Sequence, residues 1–404
     1  MKQSKYVILG GGMAAGYAAK QLAELGLKAG ELAIVSADTA PPYERPPLSK
    51  GFLAGREDEG KICINPEEFY GQHGIELKLR TEAAGIDVTR RMLKLRTGEE
   101  WGFEKLVIAT GARVRELEIA GRDLEGVHYL RSLEDSKRIR QRAEGAKRAV
   151  VTGSGFIGME VASVLAQKNI EVAMVVREDR IWKNFFTPAM SASFEKYFTE
   201  RGVQFLKHAE VAEAQGTGAV NAVTLKDGRK LACEMLVAGI GVMPETGALM
   251  DSGIETGDGV DVNSYLETNI PGIYAVGDVA NYEDVLFGKR RRIEHWDNAV
   301  SQGQHCARAL TGDRKPFRHV PYFFSDVFDL SYEFWGDTVG SDEIVERGDM
   351  ASTSFSVWWL KEHRLIAAFT MNRPDEEREA APKLIENKTR VTAAEVNAGK
   401  WPTG

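Results

Sequence analysis

Cysteine is scarce in this chain: Cys63, Cys233 and Cys306 are the only three among 404 residues. None stands in a C-x-x-C or other metal-type spacing, which excludes a disulfide framework and argues against a zinc site, so no metal is expected. Long apolar runs are missing too; no stretch approaches the ~18–20 residues that a membrane span requires. Met1-Lys2-Gln3-Ser4-Lys5 runs into an apolar strand without a leader-like segment, so a cytoplasmic location is expected. An excess of positive charge is also lacking: the formal net charge is -7, which argues against a nucleic-acid protein as a whole. Low-complexity tracts are absent. What remains is ordinary for a globular protein, with 43% hydrophobic and 27% charged residues, and 404 residues predict two or three domains.

Glycine is abundant, and its placement is informative. Tyr6-Val7-Ile8-Leu9 leads into Gly10-Gly11-Gly12-Met13-Ala14-Ala15, and Ala149-Val150-Val151 leads into Gly153-Ser154-Gly155-Phe156-Ile157-Gly158. Both have the G-x-G-x-x-G/A form that lets backbone approach a pyrophosphate at a helix N-terminus. The repeat is longer than the glycines. A helix from Met13 to about Leu27 and a strand Leu32-Ala33-Ile34-Val35 follow the first turn; a helix from Ile157 to about Lys168 and a strand Val172 to Val176 follow the second. Each is a βαβ unit of about 30 residues. Two such units predict two dinucleotides, as a flavin enzyme fed by a nicotinamide needs.

Each half returns to an apolar strand. Leu106-Val107-Ile108-Ala109 ends in Thr110-Gly111, and Met235-Leu236-Val237-Ala238 ends in Gly239-Ile240-Gly241. An acidic residue for an adenosine ribose is expected near the end of the second strand. Asp38 is the candidate, though it could equally cap a loop. Val276-Gly277-Asp278 would end a strand with a carboxylate aimed at a ribityl hydroxyl, the glycine allowing close approach. From about Lys315 the composition turns aromatic, and alternation around Ser352–Trp359 and Arg364–Phe369 predicts antiparallel strands in a third, α+β domain. The charged stretch after Arg373 reads as a helix followed by a frayed end.

With these motifs the chain resembles the two-dinucleotide flavoprotein reductases related to glutathione reductase. Those enzymes carry a C-x-x-x-x-C pair after the second strand; here stands Pro42-Tyr43-Glu44-Arg45-Pro46-Pro47-Leu48-Ser49-Lys50, without cysteine, so no redox-active disulfide is expected. That segment resembles monodehydroascorbate reductase, the oxygenase-coupled ferredoxin reductases and apoptosis-inducing factor. Arg291 to Ala299 and Pro321 to Asp326 extend the likeness over nearly the whole chain. Phe328 to Asp337 looks most like the plant monodehydroascorbate reductases, whereas Asn298-Ala299-x-x-Gln302-Gly303 leans toward the ferredoxin reductases. The implied fold is α/β. Two Rossmann-like domains of glutathione-reductase type would bind FAD (1–114 and 246–314) and NAD(P)H (115–245), and 315–404 would form the smaller α+β domain.

The resemblance also implies a site. Gly10, Gly12, Met13, Ala14 and Ala15 would cradle the FAD pyrophosphate, with Asp38 at the adenosine ribose and Asp278 on the ribityl chain. Arg45 and Lys50 would lie beside FAD, with Ala84 (through its backbone) and Arg131 peripheral. Glu294, His295 and Phe324 would line the isoalloxazine. Lys50 would pair with Glu160 near flavin N5, where positive charge favours reduced flavin, or the pair is merely structural. Phe156 would lie over the flavin, with hydride passing from the nicotinamide. Gly155, Phe156, Ile157, Gly158, Glu160, Glu178 and Gly241 would form the NAD site. Glu178 favours NADH through the adenosine 2′-hydroxyl, whereas Arg177 and Arg180 would suit a 2′-phosphate.

The acceptor is left open. The plant reductases place an Arg for the ascorbate radical where this chain has Val300, and a Tyr beside the flavin where it has Phe324. A monodehydroascorbate-type radical, an acidic [2Fe–2S] ferredoxin, and an NADH-responsive signalling role like that of apoptosis-inducing factor are the three readings. The basic run Lys289-Arg290-Arg291-Arg292 is either a solvated loop or an electrostatic guide for an anionic acceptor. Cys63 reads as a buried structural thiol.

Overall fold

The computed structural model describes residues 2–402. They gather into two compact units. One takes the chain up to residue 45, 59–113 and 243–321; the other takes 46–58, 114–242 and the residues from 322 onward.

In the first unit, strands Glu76–Lys78, Leu32–Val35, Lys2–Leu9, Glu100–Ile108 and Ile273–Ala275 are hydrogen-bonded in parallel in that order. Every residue of Leu32–Val35 is buried, as a parallel strand covered on both faces requires. Register sets the functional edge. Leu9 pairs with both Val35 and Ile108, and Ala275 with Ile108. Hence Gly10, Ser36, Ala109 and Val276 leave the sheet side by side at its carboxyl edge. A hairpin, Ala83–Asp87 with Met92–Leu95, extends the sheet in the antiparallel sense. Helix Met13–Glu24 presents Ala14, Ala15, Ala18 and Ala19 inward, and these small side chains let helix Trp296–Leu310 pack closely on it.

The second unit repeats the plan. Val203–Lys207, Glu171–Val176, Arg148–Thr152, Met235–Ala238 and Val127–Tyr129 form an all-parallel sheet in that order, with helix Phe156–Gln167 following the glycine turn. The unit also holds a five-stranded antiparallel sheet, ordered Tyr322–Val327, Leu330–Gly336, Arg364–Met371, Ser354–Lys361 and Glu343–Asp349. Its inner strands bury nearly every residue, while the edge strand Glu343–Asp349 is charged and mostly exposed, which discourages edge pairing. Helix Asp375–Asn387 packs on this sheet, and a short capped helix, Ala393–Asn397, follows it. The fold is α/β with two parallel-sheet dinucleotide modules and a C-terminal α+β module.

Candidate functional site

The two glycine turns are built alike. Gly10 has φ +118° and Gly153 +105°. A Cβ on Gly10 would stand 2.1 Å from the Ala109 carbonyl oxygen, and one on Gly153 2.2 Å from that of Gly239. In each turn the next strand's backbone fills the space a side chain would need. Gly12 and Gly155 then open their helices in extended conformation with no side-chain cap and no acid in the first turn. The first-turn amides at both helices are thus left without a capping side chain, an arrangement that suits a phosphate. These cradles fit the pyrophosphate of FAD at the first turn and of a nicotinamide nucleotide at the second.

In the first unit several expected residues converge on the first turn. A Cβ on Gly12 would lie 3.7 Å from Nη2 of Arg45, and one on Gly277 would lie 3.2 Å from the Ala14 Cβ, so the Gly277-Asp278 bend sits on the cradle helix. Met13 and Ala15 are buried beneath the turn. Asp38 is occupied locally: its carboxylate caps Thr39 N at 2.7 Å and accepts from the Tyr43 hydroxyl at 2.8 Å. The loop-capping alternative therefore accounts for Asp38 in this structure. Ala84 stands at a register break in its hairpin, leaving its backbone outside the regular ladder. His295 opens helix Trp296–Leu310, and burial pushes its imidazole down to about 4. Glu294 is ion-paired to Arg292 at 2.6 Å.

The remaining expected FAD residues, Lys50, Arg131 and Phe324, belong to the second unit, where Lys50 meets Glu160. Their charged atoms are 3.3 Å apart, with side chains 13% and 5% exposed. The Lys50 ammonium also lies 4.5 Å from the centre of the Phe324 ring and 3.9 Å from Asp326. Arg131 precedes the capping box of helix Leu133–Ala143, its amide donating to Asp135.

At the second glycine turn, Phe156 is half-buried and meets Phe323 at 4.5 Å and Phe185 at 5.3 Å between ring centres, while Ile157 is exposed. A Cβ on Gly158 would meet the Gly153 carbonyl at 2.3 Å. Gly241 has φ +96° and accepts from the Arg115 amide. Glu178 pairs with Arg177 at 3.0 Å. Arg180 is committed elsewhere, donating to the Phe186 and Lys183 carbonyls and to Ser191.

Two expectations change. The basic run is not a loop: Lys289–Arg291 is a strand, with Lys289 and Arg290 exposed to solvent. Nor is it an uncompensated patch, because Arg290 meets Glu283, Arg291 meets Asp284, and Arg292 meets Asp258 and Glu294. Cys63 is half-buried rather than buried, its thiol directed at the Glu59 carbonyl and pushed up by burial. Cys233 and Cys306 are the buried thiols, both raised by burial.

Other residues of the site escaped the sequence reading. Gly11 touches Ser36, whose Oγ would lie 2.3 Å from a Cβ on it. Glu44 accepts from both Tyr17 and Trp296, each at 2.6 Å. Buried Gln302 accepts from the Gly277 amide at 2.8 Å and so anchors the bend before Asp278. Only the spacing of Gln302-Gly303 in a familiar segment hinted at the last of these.

Comparison with known proteins agrees with this geometry. The pyridine nucleotide-disulphide oxidoreductase model matches residues 4–303, and the reductase C-terminal model matches 322–401. Monodehydroascorbate reductase 4, peroxisomal, of Arabidopsis thaliana is 39% identical over 96% of this chain and 83% of its own. The monodehydroascorbate reductase of Solanum lycopersicum is 35% identical over 97% of this chain and 96% of its own. Among solved structures, the ferredoxin reductase for the CYP199A2 system of Rhodopseudomonas palustris superposes with TM-score 0.92 at 34% identity, covering 97% of both chains. The covalent putidaredoxin reductase–putidaredoxin complex gives TM-score 0.93 at 30% identity, over 98% of this chain and 95% of that one. With both cradles built for dinucleotides and a family model spanning most of its length, the chain belongs to the pyridine nucleotide-disulphide oxidoreductase family and is an NAD(P)H-dependent FAD oxidoreductase.

Proposed function

We propose that this enzyme draws electrons from NADH and delivers them to a small radical acceptor of the monodehydroascorbate type. The observation that carries it is the shielded Lys50–Glu160 pair beneath Phe324 in a chain so like the plant reductases and without a C-x-x-x-x-C pair. Bound FAD supplies the centre that takes up two electrons as hydride and releases them to the acceptor. The first glycine turn would hold its pyrophosphate, Asp278 its ribityl chain, and Arg45 would lie at its side. Lys50 would keep a positive charge at the isoalloxazine, where low solvent exposure strengthens its effect. Gly155, Gly158 and the exposed Ile157 would receive the nicotinamide nucleotide, with Phe156 shielding the hydride-transfer face.

The preference for NADH gains support from the second unit. Arg180 spends its guanidinium on the Phe186 carbonyl of its own loop and on Ser191 of the following helix, and Arg177 is matched by Glu178, so a 2′-phosphate would meet a carboxylate without a free cation. Action in the cytoplasm and the domain limits given above belong to the same proposal.

Ferredoxin reduction is the second reading, favoured by Val300. This residue is buried in helix Trp296–Leu310 and has no charge to grip a small acid. The test is stopped-flow oxidation of the NADH-reduced enzyme by ascorbate radical, a [2Fe–2S] ferredoxin and a quinone. Fast oxidation by ascorbate radical is expected; a rate no greater than that with dioxygen would sink the first reading, and fast oxidation by ferredoxin alone would establish the second.

A further inference from the structure

Glu160 is gripped by more than Lys50. Ser325 Oγ donates to its Oε1 at 2.5 Å, and Ser49 Oγ donates to its Oε2. Both serines are buried, 0% and 2% exposed. They come from segments far apart in sequence: Ser49 immediately precedes Lys50, and Ser325 lies on strand Tyr322–Val327 between Phe324 and Asp326. The residues flanking Ser325 also serve the lysine, since Phe324 and Asp326 both lie against the Lys50 ammonium. Two short pieces of chain thus deliver one hydroxyl each to the carboxylate; one of them carries its cationic partner and the other packs against that ammonium.

A buried carboxylate with a single ammonium partner has lone pairs to spare, and leaving them empty is costly. An ionised carboxylate only accepts, so each serine must direct its one proton to it. The Ser49 hydroxyl has one other acceptor in reach, the Pro46 carbonyl at 3.4 Å, a longer and weaker contact. With one oxygen tied to each serine, the Glu160 side chain cannot turn about its last bond without breaking a charge-assisted hydrogen bond.

We propose that Ser49 and Ser325 are positioning residues for hydride transfer: they lock the Glu160 carboxylate so that the Lys50 ammonium is held in one place. This rests on the reading that Lys50 and Glu160 stand beside the flavin. The hydroxyls act through Glu160 and need not touch substrate or cofactor.

The test is anaerobic stopped-flow reduction of the FAD-loaded enzyme by NADH, with Ser325→Ala, Ser49→Ala, Ser325→Thr, Glu160→Gln and Glu160→Gln/Ser325→Ala, joined to a crystal structure of Ser325→Ala. Ser325→Ala should lower the limiting reduction rate roughly tenfold, the size of one hydrogen bond to a charged group, while the NADH dissociation constant and FAD content hold. Ser325→Thr should recover most of that rate. Added to Glu160→Gln, Ser325→Ala should cost little more, and the crystal structure should show Glu160 turned away from Lys50. Should Ser325→Thr fail to fold, Ser49→Ala carries the same expectation. A wild-type reduction rate in Ser325→Ala and Ser49→Ala, while Glu160→Gln is slow, overturns the inference alone. A wild-type rate in Glu160→Gln overturns the underlying reading as well. A loss in Ser325→Ala that tracks loss of FAD, or an unmoved Glu160 in its crystal structure, assigns the serines to packing only.

Discussion

Gly303 lies against Ala14 so closely that a Cβ on it would stand 2.4 Å from the Ala14 carbonyl oxygen. This contact joins helix Trp296–Leu310 to the first turn of the cradle helix, next to Gln302, which anchors Gly277. The obstructing atom is backbone, so it cannot swing aside. Gly303→Ala should therefore push the two helices apart and lower stability by about 1–3 kcal/mol. FAD retained after purification should fall with it. Thermal unfolding and the flavin-to-protein absorbance ratio measure both, and full flavin with an unchanged melting temperature would contradict the packing described.

The paired turns predict separable defects. Gly10→Ala and Gly153→Ala each force a Cβ onto a carbonyl oxygen at 2.1 and 2.2 Å and a positive φ onto alanine. Gly10→Ala should yield protein depleted in FAD. Gly153→Ala should keep its yellow colour but bind NADH at least tenfold more weakly, read by titration of the flavin spectrum. Loss of flavin from both variants alike would show that the turns are not independent cradles.

Nucleotide choice should follow Glu178, not Arg180. Glu178→Ala should raise the NADPH-to-NADH ratio of kcat/KM by about tenfold, through loss of a repelling carboxylate and release of Arg177. Arg180→Ala should leave that ratio in place while lowering stability, because its guanidinium ties Phe186, Lys183 and Ser191 together. A large drop in NADPH use by Arg180→Ala would instead assign it to a phosphate.

His295 makes stability depend on pH. Its folded-state value is about 4, against 6.5 for a free imidazole, because burial disfavours the charged ring. The unfolded chain therefore binds the proton more readily, and stability present above pH 6.5 is lost as pH falls toward 4. His128 is likewise lowered to about 4, burial again leading, and adds to the same slope. Replacing His295 with Gln should remove on the order of 2 kcal/mol of that pH dependence. Melting curves between pH 7 and pH 4.5 measure it, and parallel slopes for the two proteins would count against an imidazole held neutral by the fold.

How much of the site was legible in the chain varies with distance along it. The helix after the first turn was expected to reach about Leu27 and ends at Glu24, and the second begins at Phe156 rather than Ile157. Such small differences arise because end residues fray or tighten. The stretches Ser352–Trp359 and Arg364–Phe369 do correspond to antiparallel strands, Ser354–Lys361 and Arg364–Met371, but nearly every residue of both is buried, so a period of two is not what their burial shows. Asp38 was ambiguous in sequence because a loop cap and a ribose ligand use the same carboxylate; the nearness of Tyr43 favours the cap.

By itself the sequence determined the two dinucleotide cradles and the lack of a redox disulfide. A strand–glycine–helix turn is a local backbone requirement, and an absent cysteine pair is a property of composition. Tertiary structure alone decided what long-range partners do. It neutralised the basic run with Glu283, Asp284, Asp258 and Glu294, and it occupied Arg180 within its own loop. It also brought Ser49 and Ser325, 276 positions apart (325 − 49), onto one carboxylate. No periodicity or spacing encodes such meetings. They follow from which strands lie side by side once the sheets have formed.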